Sequence, residues 1–474
     1  MGRELDEDHH AKIIEQQVNM LDRTVVDQAY RGCGSRCYDP MVMLKMVLYQ
    51  YLKGNQSPAT WHEEAKLNKA MRWLGRGYEP ARRTWYDFRD RVGQFIDSIH
   101  AQIIKRALAQ GQLDPSVGVQ DGTAIAASAS RHRTVNRPTL EKRKQQLAAI
   151  VKGEFDEAIP RWVPPTEAGK QDLSERMKQA SEILEQRIVK NAEKPGDKRR
   201  DPNKIQVSLS DPVAPLGRDK LKVFRPLYTV QYVVAPTSYL IMSYCCEASV
   251  TDAGTLAPMT DKTQQVVNGG LKTMIADAAY CSIVDLQDCQ QRNVELLAPV
   301  QSNSFTETKK QAQGSRQLHR EEFRWDGEAQ CYHCPEGHRL NYHGRSRKQR
   351  HSGRQLWGSR YRCEPATCQS CPLVTQCLRE GSSCRMIKRL EGQELLDDQR
   401  AKMACDDAKQ RYSIRGQTVE KAYADSKGNR RLTRFHGRGL TRARTETGIM
   451  VVAQNLIRLN RIQNEKLTQS KSTN

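Results

Sequence analysis

Two short apolar runs each carry an aspartate, and they constrain the fold more than any other feature of the chain. Asp121 lies in Val-Gln-Asp121-Gly-Thr within the run 117–127, and Asp277 closes Thr-Met-Ile-Ala-Asp277-Ala-Ala-Tyr. Runs of this length read as strands, and a strand would carry each carboxylate out of the core to a sheet edge. A third acid, Glu420, stands in Tyr412-x2-Arg415-x4-Glu420-x6-Lys427, a helix-like segment whose Arg and Lys are spaced to meet phosphates. Between the aspartates lie 155 residues (122 to 276), and 142 lie between Asp277 and Glu420 (278 to 419). Any site that joins them is therefore made by the fold. Three converging carboxylates could hold two divalent ions, Mg²⁺ or Mn²⁺, which is the machinery for cutting and joining a phosphodiester. Taken singly, each is an ordinary solvated or capping acid.

The charge balance points to a polyanionic partner. Lys and Arg number 76 against 55 Asp and Glu, a net +21 over 474 residues, and each phosphate that a cation neutralises releases counterions from nucleic acid. A basic solvated surface is the plainer alternative. No apolar run approaches the ~20 residues needed to span a bilayer. Residues 1–17 are charged and lack the apolar stretch of a signal peptide, so a cytoplasmic, nucleoid-associated chain with reduced thiols is expected. Its 14 cysteines then read as metal ligands or core residues before disulfides.

The chain divides by composition. Residues 38–111 are helical in pattern: Asp39-Pro40 supplies a cap and first-turn proline, Ser57-Pro58 opens a second helix, and Thr84 opens a longer one lined by Trp85 through Ile103. Arg82 and Arg83, with Arg89 and Arg91, cluster at one helix start, as in a helix-turn-helix-like DNA reader or on the solvated face of a plain bundle. The polar stretch 131–204 reads as a helical arm or a linker. Strands at 227–235 and 239–247 form a hairpin across Pro236-Thr237-Ser238. A helix at 256–267, a strand at 271–276, a helix at 283–292 and a strand at 294–300 complete the order of a mixed α/β sheet.

Residues 305–386 differ again, with Cys331-x2-Cys334-Pro-x-Gly-His338 and Cys363-x4-Cys368-x2-Cys371-Pro-x4-Cys377. Paired CxxC knuckles at this separation match a zinc ribbon, where structural Zn²⁺ ties together strands too short to make a core. Cys331, Cys334, Cys368 and Cys371 are the first-choice ligands, with Cys363 and Cys377 as alternates. Cys33, Cys37 and the remaining cysteines read as packing residues.

With these motifs laid out, the chain resembles the DDE transposases of bacterial insertion sequences. The likeness is to the branch with a Tyr-Arg-Glu-Lys signature, nearest in layout to the group numbered eleven-eighty-two. Asp39-Pro40, Trp73-Leu74 and Thr84, Asp121-Gly122-Thr123, Ser210-Asp211-Pro212, Tyr228-x2-Gln231, Ile275-Ala276-Asp277, Arg438-Gly439-Leu440 and Asn455-Leu456 carry the resemblance. Ala279 departs from it, standing where the family often has glycine. The resemblance implies a ribonuclease-H-like mixed sheet in two pieces, 113–304 and 387–462. A helical DNA-binding domain (1–112) precedes it, the helical insertion 131–204 and the cysteine-rich insertion 305–386 interrupt it, and a disordered tail (463–474) follows. It implies Asp121, Asp277 and Glu420 as metal-binding catalytic residues. Tyr412, Arg415 and Lys427 would brace phosphates, and Arg430, Arg431 and Arg438 fall in a basic stripe that tracks the DNA backbone. The partners implied are transposon ends and target DNA, with a homodimer on paired ends and no membrane. A metal-dependent nuclease that cuts without joining, and a non-catalytic zinc-containing DNA-binding protein, are the competing expectations.

Overall fold

In the N-terminal region, helices α1 (His10–Asn19) and α2 (Thr24–Gln28) precede α3 (Pro40–Leu52). Asp39 Oδ1 accepts from the Met41 amide at 2.8 Å and Pro40 occupies the first turn, where no donor is needed. Every residue of α3 is buried, as befits a helix that is apolar nearly all round. Helices α4 (Pro58–Leu67), α5 (Lys69–Leu74), α6 (Arg82–Val92) and α7 (Ile96–Ala109) follow. The computed structural model describes residues 5–30, 38–194, 196–301, 318–351, 354–378 and 380–472, so Cys33 and Cys37 lie outside the described residues. The single long helix expected from Thr84 to Ile103 is two, broken at Gly93. A Cβ at Gly93 would run into Thr445 Oγ1, so the glycine permits a close approach and interrupts the helix there.

The chain forms two compact units: residues 1–252, 259–271 and 415–474, and residues 253–258 and 272–414. In the first, β1 (Val117–Ala126) is followed by β2 (Thr134–Asn136), α8 (Arg137–Lys152), α9 (Glu167–Ala192) and β3 (Gln206–Ser208), then β4 (Leu216–Arg218), β5 (Phe224–Val234) and β6 (Ile241–Glu247). Strand β5 is the spine, pairing antiparallel with β1, β4 and β6. The polar stretch after β1 is a packed arm. Strands β2 and β3 pair at its root, and Leu147, Leu173, Met177 and Leu184 of α8 and α9 bury one another in a core of their own.

Helix α10 (Leu256–Val266) crosses the division between the units. The second unit opens with β7 (Thr273–Ile275), α11 (Ile283–Gln291) and β8 (Glu295–Leu297), a parallel strand pair joined through a helix. A five-stranded antiparallel sheet follows in the order β13-β12-β11-β10-β9: β9 (Arg324–Asp326), β10 (Cys331–His333), β11 (Arg339–His351), β12 (Arg354–Arg362) and β13 (Met386–Leu390). The short helices α12 (Pro365–Gln369) and α13 (Val374–Cys377) lie between the last two strands. Helices α14 (Gln393–Ala404) and α15 (Asp406–Ala424) come next, α15 runs into a π-helical turn (Asp425–Asn429), and α16 (Leu440–Ser472) closes the chain. Of the tail 463–474, residues 463–472 are described and form the last turns of α16.

Helix α16 supplies much of the first unit's core, with Ile449 to Ala453 and Leu456 buried against α3, α7 and β6. Its Asn455 side chain closes the start of β6, accepting from Ile241 N and donating to Ile241 O, both at 2.9 Å. No described helix is long and apolar enough to cross a membrane.

Candidate active site

Asp121 sits mid-strand on β1, opposite Tyr232 of β5, and the end of α15 with its π turn is fastened along the same strand. Arg415 Nη2 lies 3.3 Å from Asp121 Oδ1. Tyr423 stacks on Tyr232 and donates its hydroxyl to the Asp121 carbonyl at 2.6 Å. Lys427 Nζ reaches Thr123 Oγ1 at 2.6 Å and the Ala124 carbonyl at 3.0 Å. Burial, and then nearby Lys220, lower the Lys427 pKa to about 8, against a smaller opposing effect of Asp219. The π turn inserts an extra residue into the helical register, a feature frequent at functional sites. Glu420 is exposed on α15, three residues before Tyr423 and so on the neighbouring face of the helix. Its carboxylate turns back to within 4 Å of where a Cβ on Gly416 would lie.

Gly122 explains a residue that sequence reasoning missed. A Cβ there would overlap Asp252 Oδ1 and Gln231 Nε2, and Gln231 donates to that same Asp252 oxygen at 2.5 Å. Asp252 therefore packs against the bare backbone position that follows Asp121 on β1. Asp252 lies in Val-Thr-Asp-Ala-Gly after β6, which reads from sequence as a turn. Tyr423 was likewise hidden among the apolar residues of its helix.

Asp277 belongs to the second unit. It lies two residues past the end of β7, half-buried, and its Oδ1 accepts from the Ala279 amide at 2.7 Å to cap a 3₁₀ turn (Ala278–Tyr280). Ala279 takes an ordinary backbone there, outside the left-handed region, so the departure from glycine leaves the turn unstrained.

The landmarks of the first unit meet one another. Tyr228 OH donates to Asp211 Oδ1 at 2.8 Å and the Gly439 amide to Oδ2 at 3.0 Å. Beside them opens a cavity of about 580 Å³, lined among others by Arg131, Arg133, Arg225, Arg434, Arg438 and His436. Arg225 pairs with Asp219 at 3.0 Å, and Arg434 donates to the Ala127 and Ala129 carbonyls. Among the described residues Arg131, Arg133 and Arg438 have no carboxylate partner. Buried Glu446 holds the loop that lines this cavity, accepting from His436 N at 2.9 Å and Gly437 N at 2.5 Å; burial raises its pKa to about 7.

The remaining basic residues divide. Arg430 is turned inward, its guanidinium on the Leu52 carbonyl (2.6 Å) and Asp425 (3.3 Å). Arg431 is exposed with φ +58° and lies along Gly54. On α6, Arg82 is exposed and Arg83 pairs with Asp87 at 2.8 Å. Tyr412 is half-buried on α15.

In the cysteine-rich sheet, Cys334, Cys363, Cys368, Cys371 and Cys377 line one small cavity of about 20 Å³ with His338. Burial and the neighbouring thiols of Cys368 and Cys334 push the Cys363 thiol up to about 12. Cys331 is not among the lining residues, although the sequence counts it with Cys334; both alternates, Cys363 and Cys377, are. Cys331 opens β10, whereas Cys334 lies past its end in the turn toward β11, where the Gly337 amide donates to its carbonyl at 2.8 Å. Cys331 instead lies by His333 and Asp326. Among the described residues these three are the only set of Cys, His and acidic donors whose ligand atoms all lie within 4.8 Å of one another.

Comparison with known families finds two matches. A model described as Transposase DDE domain matches residues 333–460, which include Glu420, Arg415 and Lys427. A model described as Transposase domain (DUF772) matches residues 2–91, the N-terminal helices as far as α6. No curated protein and no solved structure matches the chain. The mixed α/β architecture fits a transposase DDE fold. Two separate stretches thus resemble transposase domains, and together they support a DDE transposase, an enzyme of nucleotidyl transfer.

Proposed function

We propose that the chain is a cut-and-paste DNA transposase with a ribonuclease-H-like catalytic domain, and that Asp121, Asp277 and Glu420 are its catalytic carboxylates. The observation that carries this reading is the attachment of α15 and its π turn along β1. Arg415, Tyr423 and Lys427 all meet β1 between Asp121 and Ala124, on the helix that bears Glu420. The carboxylates of Asp121, Asp277 and Glu420 are hard oxygen donors and suit Mg²⁺ or Mn²⁺. When bound, the metal supplies Lewis-acid stabilisation of charge on the phosphoryl oxygens.

The chain's own residues have the complementary tasks. Arg415 pairs with Asp121 and presents a planar fork to a phosphate. Lys427 supplies a half-buried point charge beside Thr123. Arg131, Arg133 and Arg438 offer unbalanced positive charge to a DNA strand running past the end of β1, and exposed Arg82 extends the basic surface on the N-terminal helices. Arg430 and Arg83, already engaged within the protein, contribute less than their place in the sequence suggests. A structural Zn²⁺ in the cavity of Cys334, Cys363, Cys368, Cys371 and Cys377 would draw four of those sulfurs to tetrahedral distances and fix the short helices α12 and α13 against the sheet. A homodimer on paired ends belongs to the same reading.

The test is an excision and strand-transfer assay in Mg²⁺ or Mn²⁺, comparing the intact chain with Asp121→Ala, Asp277→Ala and Glu420→Ala. Loss of both steps with DNA binding retained is expected in each variant. Cleavage without joined product by the intact chain would make it a nuclease, and equal activity of all four proteins would overturn the reading.

A further inference from the structure

We propose that Asp326, Cys331 and His333 form a zinc site separate from the five-cysteine cavity, with water as the fourth ligand. The ladder between β9 and β10 places Asp326 directly opposite Cys331. His333, two residues along β10, falls on the same face. Trp325 and Tyr332 form the intervening pair and take the other face, where both meet Tyr361. The three polar donors are thus segregated from the sheet's aromatic core by strand alternation alone.

Their spacing matches a tetrahedral ion. Cys331 Sγ lies 3.7 Å from His333 Nε2, and Nε2 lies 3.4 Å from Asp326 Oδ2. Zinc bonds of ~2.3 Å to sulfur and ~2.0–2.1 Å to nitrogen and oxygen, at tetrahedral angles, set these separations at about 3.6 and about 3.3 Å. The surrounding contacts orient each donor toward that point. His333 Nδ1 faces the Gly337 carbonyl at 3.4 Å, which favours the proton on Nδ1 and leaves the Nε2 lone pair for a metal. Asp326 Oδ1 accepts from Glu328 N at 3.1 Å and Ala329 N at 2.9 Å, so Oδ2 is the oxygen turned to His333. Cys331 is buried, while the His333 and Asp326 side chains keep 18% and 31% exposure, which provides an entry path. One thiolate, one imidazole and one carboxylate select zinc or cobalt over magnesium. Three protein donors leave a tetrahedral ion one position for water. The plainer account is a His–Asp pair beside a thiol, which predicts no metal.

The experiment uses the full-length protein, stripped with chelator and titrated with Co²⁺, followed by visible absorption and by metal content from mass spectrometry. His333→Ala and Cys331→Ser should each bind one equivalent fewer than the intact chain. Cys368→Ser should remove a different ion, the one with thiolate-rich absorption. His333 is partly exposed, so its variant is expected to fold, and circular dichroism checks this. Full metal content in folded His333→Ala would overturn the proposal. So would loss of the same ion from Cys331→Ser and Cys368→Ser, because Cys331 would then belong to the cysteine cavity. None of these readouts requires DNA or activity, so the result stands apart from the transposase reading.

Discussion

Tyr423 lies flat on Tyr232, ring centroids 4.7 Å apart and planes 13° from parallel, while its hydroxyl donates to the backbone carbonyl of Asp121 at 2.6 Å. One side chain therefore sets both the height and the rotation of the Glu420-bearing helix over the strand that carries Asp121. Tyr423→Phe keeps the stack and loses the hydrogen bond. It should cost about 1 kcal/mol in a urea melt and lower excision more than DNA binding. Tyr423→Ala should cost ~3–5 kcal/mol.

Gly122→Ala inserts a methyl group where Asp252 and Gln231 already meet. A destabilisation of ~1–3 kcal/mol is expected from overpacking, with strand cleavage lost in protein that is still folded at 25 °C. Melts and cleavage assays on the same preparation check this. Cleavage at the wild-type rate would show that Asp252 can leave the position freely.

Lys427 gives a pH dependence of definite sign. Its folded pKa, about 8, lies below the ordinary lysine value of 10.5, so between these values the unfolded chain binds more protons and stability rises with pH. The contribution is fully present above about 10.5 and is lost as pH falls through 8. Lys427→Met should flatten that part of the stability curve. Phosphate contact by Lys427 needs the charged amine and should weaken above pH 8, which DNA binding at constant salt would detect.

Arg131→Ala and Arg133→Ala remove charges that have no internal carboxylate to lose. Thermal stability should be unchanged, and the slope of log K against log salt for DNA binding should fall by about 1 for each phosphate contact removed.

Asn455→Ala removes a partner from each of Ile241 N and Ile241 O at the start of β6, where His100 Nε2, 2.8 Å from the same carbonyl, remains. With the site buried, a loss of ~2–4 kcal/mol is expected from two broken hydrogen bonds and the amide left without its side-chain acceptor. Equilibrium unfolding measures it. A change below 1 kcal/mol would show that water replaces the amide.

Much of this architecture is legible before any coordinates. The strand around Asp121, the 227–247 hairpin and the helices near 256 and 283 lie within a few residues of their expected bounds, because apolar period and turn residues are local signals. The close approach at Gly93 is not local: the side chain that a Cβ there would meet is Thr445, some 350 residues away in the chain. The sorting of Cys331 from Cys334 depends on where β10 ends, between the two residues, and a CxxC spacing is equally compatible with a knuckle that uses both. Asp252 stayed invisible for a related reason: nothing in a Thr-Asp-Ala-Gly turn announces that a strand glycine lies beneath it.

The helical arm that leaves after β1 returns through β3, where Thr134 stands opposite Ser208. Exit and re-entry are thus side by side, and the register of β1 on β5 is indifferent to how much chain lies beyond that doorway. A descendant of this protein could lengthen, trim or exchange the arm without disturbing the strands that bear Asp121, and growth of such an excursion costs only logarithmically in loop entropy.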